Sequence, residues 1–156
     1  MTSIDTSAAA ESGLKPAQRD DLRAIAAMMI PESAEYRVPG ADDQLIQADI
    51  VATLGRDTAR VRAALDHIAR LAGQPLAALD AQRREAVVRE FRETGGVAAA
   101  TLARVILQCY YRDDRVLKSL NLEPRPPFPL GHTLEQGDWS LLAPVKARPS
   151  MWRRAP

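Results

Sequence analysis

The 156-residue chain has a single cysteine, Cys109, and neither a CxxC pair nor a CxxCH run. A lone thiol excludes an internal disulfide, and the missing partners exclude dithiol redox, cysteine-rich zinc and covalent haem. An excess of one charge is also missing. Twenty-one Lys and Arg against twenty Asp and Glu leave a formal +1, without the concentrated positive field that phosphate backbones or anionic membranes require. Nucleic acid is therefore not expected as a partner. No run of roughly 18 apolar residues occurs, which argues against direct membrane insertion. Neither GxGxxG nor GxxxxGK[ST] is present, so neither phosphate loop can hold a nucleotide here, and any flavin or nicotinamide belongs to another chain. The opening MTSIDTSAAAESGLKP has no twin arginine, basic segment or apolar segment of an export signal.

What is there suits one helical domain. Apolar residues make up 46% of the chain, enough at this length to bury a core. Residues 1–14, rich in Ser, Thr and Ala without periodicity, read as a mobile tail. From Pro16, the residues Leu22, Ile25, Ala26 and Met29 follow helical spacing, and Pro31 ends that helix. Leu45, Ile46, Ile50 and Leu54 define a second helix, opened by Asp42 and Asp43 and closed by Gly55. A third, capped by Asp57 or Thr58, carries Val61, Leu65, Ile68 and Ala72 to a stop at Gly73. A fourth starts at Asp80, turns Val87, Val88 and Phe91 inward, and breaks at Thr94-Gly95-Gly96. A fifth runs from Val97 to Tyr111, and a short turn of helix covers Arg115 to Leu120. No stretch alternates long enough for a strand and no repeat of fixed period occurs. The expected fold is all-α: an irregular bundle of about five helices over residues 15–120, followed by an extended arm over 121–156.

That arm holds seven of the eleven prolines, both tryptophans (Trp139 and Trp152) and Phe128. Prolines prevent a continuing helix, while rings of this size are costly to leave in water. The arm is expected to run extended and to dock its aromatics, on its own helices or on a partner.

Single residues give little chemistry. His67 lies mid-helix beside Asp66, and His132 lies in the arm; without HExxH or a cysteine set, both read as structural or solvated. Cys109 falls on an apolar helix face with no activating base. YYRDDR, Tyr110 to Arg115, could pass for an acid/base cluster, but at a helix end it reads better as aromatic anchors and a charged turn. Arg83, Arg84, Arg89 and Arg92 alternate with Glu85, Glu90 and Glu93, the pattern of a solvated face with i,i+4 pairs.

Two separated stretches belong together. MMIPESAEYRVPGADD (Met28 to Asp43) ends one helix and opens the next, and CYYRDDRVLKSLNLEPRPPFPLGH (Cys109 to His132) ends a helix in Tyr-Tyr before an acidic turn, a short helix and a Pro/Gly arm. In this pairing the chain resembles the gluconate 2-dehydrogenase subunit 3 family, from about Leu22 to His132. The resemblance implies a non-catalytic accessory subunit, with no cofactor of its own, that binds and stabilises the FAD-carrying catalytic subunit of a sugar, sugar-acid or glycoside dehydrogenase. That large subunit is of the glucose-methanol-choline (GMC) oxidoreductase type, and a separate cytochrome often takes the electrons. Many family members carry a twin-arginine signal that this sequence lacks, so a cytoplasmic complex is expected, with a periplasmic one by co-export as the alternative. Nor does the sequence beyond His132 map onto the family.

Tyr36, Tyr110, Tyr111, Phe128, Trp139 and Trp152 are the aromatic side chains expected at the partner interface. Two other classes stay open: a self-contained helical enzyme using His67 or the Tyr110 to Asp114 cluster, and a helical adaptor or homo-oligomer without a dehydrogenase partner.

Overall fold

The computed structural model describes residues 13–133 and 135–149, and the described residues are mostly helical, with one isolated antiparallel bridge, Ser33 to Val38, and no strand. The helices are α1 (Pro16–Met29), α2 (Gln44–Thr53), α3 (Thr58–Ala72), α4 (Ala81–Thr94), α5 (Gly96–Tyr110), α6 (Asp114–Ser119) and α7 (Ala143–Lys146). Two 3-10 turns, Gly55–Asp57 and Leu76–Ala78, join the helices on either side of α3. The chain divides between Pro124 and Arg125 into two units.

In the first unit α3 is central, packing against α1, α4 and α5, while α2 lies on α5. The periodicity explains why. Val61, Ala64, Leu65 and Ile68 give α3 one fully buried stripe, and Leu22, Ile25, Val87, Phe91, Leu102 and Ile106 meet it from the neighbouring helices. Pro16 opens α1, where its missing N–H costs nothing. Gly73 ends α3 in the left-handed conformation at φ 71°, which only glycine adopts freely. Asp80 caps α4, accepting the Arg83 N–H at 2.8 Å.

Several positions depart from the sequence reading. Leu14 belongs to the core rather than to a tail, being 3% exposed, and Arg62 holds the adjacent Gly13 carbonyl at 2.7 Å; residues 1–12 lie outside the described residues. Leu45 points outward, 66% exposed, because α2 buries only Ile46 and Ile50. Asp57 makes no side-chain cap for α3. Its carboxylate pairs instead with Arg104 of α5 at 2.8 Å, and that hydrogen bond holds its pKa below the usual carboxylate range.

Polar side chains that the periodicity ignored tie the bundle together. Asp21, buried on α1, accepts the Leu76 N–H at 2.9 Å and so fixes the turn before α4. Gln18 reaches Asp66 of α3 at 2.9 Å. The charged face of α4 contains one i,i+4 pair, Glu85 with Arg89 at 3.3 Å. Arg84 departs from that pattern: it donates to the carbonyls of Leu76, Ala77 and Leu79 and so braces the short turn before α4.

The second unit is extended only in part. Arg125 donates to the carbonyls of Pro126 and Gly131, and the His132 imidazole lies 2.8 Å from the Arg125 carbonyl, closing a small loop. Further on, a 3-10 turn, Trp139–Leu142, runs directly into α7. Proline does not prevent this. Pro144 occupies the first turn of α7, where its ring is tolerated, and Asp138 caps the start by accepting the Ser140 N–H at 2.9 Å.

Candidate functional site

The stretch between α1 and α2 is a short hairpin-like loop. Pro31 follows the end of α1, Ser33 and Val38 exchange backbone hydrogen bonds at 3.1 Å, and the Ala41 N–H returns to the Ile30 carbonyl at 2.8 Å. Gly40 is required where the loop closes: a Cβ there would lie 2.9 Å from the Glu32 backbone nitrogen and 3.3 Å from the Ile30 oxygen. The closure lifts Tyr36 into solvent, 67% exposed.

Asp43, at the end of the loop, has two tasks. It caps α2, accepting the Leu45 N–H at 3.0 Å, and it takes Arg115 of α6 at 2.7 Å. The same guanidinium meets Asp113 at 2.9 Å, and Asp113 in turn caps α6 through the Arg115 N–H. One arginine therefore bridges two helix caps that are 70 residues apart in the chain. Its hydrogen bonds hold both carboxyls below their ordinary pKa, and the two carboxylates raise the guanidinium above its own.

A second link lies one turn along. Arg112 pairs with Asp49 of α2 at 2.5 Å and donates to Thr53 at 3.1 Å. Cys109 sits behind it, 3.5 Å from the Thr53 hydroxyl and 4% exposed. Burial pushes its thiol pKa up, the opposite of what a nucleophile needs.

These links build one surface on the first unit. An open depression lined by Leu45, Asp49, Cys109 and Arg112 through Arg115 adjoins a second, lined by Glu35, Tyr36, Arg37, Arg115, Lys118 and Ser119. Arg115 belongs to both. The surface therefore presents two exposed apolar side chains, Tyr36 and Leu45, around a fixed guanidinium.

The six aromatics separate accordingly. Tyr36 is on this surface. Tyr110 is 4% exposed and packs inside the first unit, where burial raises its phenol pKa. Tyr111 stacks edge-on against it, ring centroids 5.2 Å apart, and remains 52% exposed. Phe128 and Trp139 are exposed in the second unit, and Trp152 lies outside the described residues. His67 is edge-on to Phe91 at 5.6 Å with Thr94 at 3.4 Å, and among the described residues neither His67 nor His132 has a carboxylate as a hydrogen-bond partner. Among the described residues, no three His, Cys, Asp or Glu converge as a metal site, and no helix is long and apolar enough to cross a membrane. The sequence reading named Arg112 and Arg115 only as members of the charged turn YYRDDR and did not name Asp49. The available signal was the alternation of Arg with Asp in YYRDDR, but the partners on α2 become visible only after folding.

Replacing Arg115 tests the clasp. Arg115→Gln is expected to cost about 1–2 kcal/mol at neutral pH, less than a buried pair because the groups are partly solvated. The pH dependence has a definite sign. Asp43 and Asp113 have lowered folded-state pKa values, so their contribution is complete above the ordinary carboxylate value, about 4, and is lost as pH falls through the lowered folded values. Urea denaturation from pH 7 to 2 should give a shallower acid decline for the variant; parallel curves would refute the clasp.

Comparison of the chain with protein-family models, curated proteins and solved structures finds no match in any of the three.

Proposed function

We propose that this chain is a non-catalytic small subunit of the gluconate 2-dehydrogenase subunit 3 type. It binds and stabilises a large GMC-type subunit, whose FAD performs the oxidation of a sugar, sugar acid or glycoside, with a cytochrome as the onward electron acceptor where one is present. The cytoplasm is the proposed compartment, with the periplasm, reached together with the partner, as the alternative.

One observation carries this reading. The two stretches on which the resemblance rests, Met28 to Asp43 and Cys109 to His132, are joined through Arg115 to Asp43 and Asp113. They form one surface that exposes Tyr36 and Leu45. Preordered side chains around a fixed cation suit protein recognition, since little conformational freedom remains to be lost on binding.

The test is capture from the native cell. The tagged chain is expected to bring down a protein with a flavin absorption spectrum and sugar- or glycoside-oxidising activity, and Tyr36→Ala should weaken that complex by about 2 kcal/mol, as for aromatic anchors elsewhere. Capture without any flavoprotein would sink the proposal, as would sugar oxidation by the purified chain alone.

A further inference from the structure

We draw no further inference here: the strongest candidate, the open apolar cavity of about 460 Å³ between α1, α4 and α5 that Met28, Met29, Val88 and Phe91 line beside Arg92, carries none because nothing in the structure shows what covers it.

Discussion

Gly40→Ala is expected to destabilise the chain by about 2–3 kcal/mol, the overpacking cost appearing in the loop that presents Tyr36. The added methyl first meets the Asp42 carboxylate, which can rotate away, and then backbone that cannot: the Glu32 nitrogen at 2.9 Å and the Ile30 oxygen at 3.3 Å. Relief requires the backbone to open where Ala41 donates to Ile30 at 2.8 Å, and that moves Asp43 away from Arg115. Gly137→Ala is the control, since a Cβ there meets nothing within 4 Å. Urea midpoints of the two variants decide the matter. Equal midpoints would show that the loop adapts without cost.

Leu65→Ala should be more damaging, by about 3–4 kcal/mol, which for a unit of this size lowers the melting temperature by roughly 15 °C. Leu65 is wholly buried at the middle of α3, the helix against which α1, α4 and α5 all pack. Truncation leaves a void that three neighbouring helices cannot fill together, because each is fixed by its own contacts. Leu107, on the outer side of α5 and 39% exposed, should tolerate the same change at a fraction of the cost. Comparable losses at the two positions, measured by thermal unfolding, would mean that α3 is not the central element.

The helices were legible because their ends are punctuated. Pro31, Gly73, Asp80 and the Gly95-Gly96 pair act within a few residues of themselves, so local chemistry determines where each helix starts or stops. The orientation of Leu45 was less legible. It depends on α2 burying just Ile46 and Ile50, a consequence of how that short helix is held rather than of its own periodicity. The bonds from Asp21 to Leu76 and from Arg115 to Asp43 span 55 and 72 residues, and no spacing rule reaches that far. The turn at Trp139 was missed for a different reason: Pro144 reads as a breaker unless α7 is seen to start at Ala143, which puts the proline in its first turn. At the candidate site, residue types were therefore legible and their pairing was not. Tyr36 stood out as an exposed aromatic between two prolines, while the arginine that fixes its surroundings looked like one charge among several.

The manner in which α2 is held also affects the order in which the molecule opens. An ion pair at its N-cap, another at Asp49 within it and two buried side chains secure it, whereas α3 is secured by a continuous apolar stripe. Ionic strength weakens solvated pairs and leaves apolar burial intact. The amide protons of α2 should consequently exchange with solvent through local openings at high salt, while those of α3 wait for global unfolding. The candidate recognition surface thus sits on the part of the fold that yields first, where a bound partner would slow exchange most.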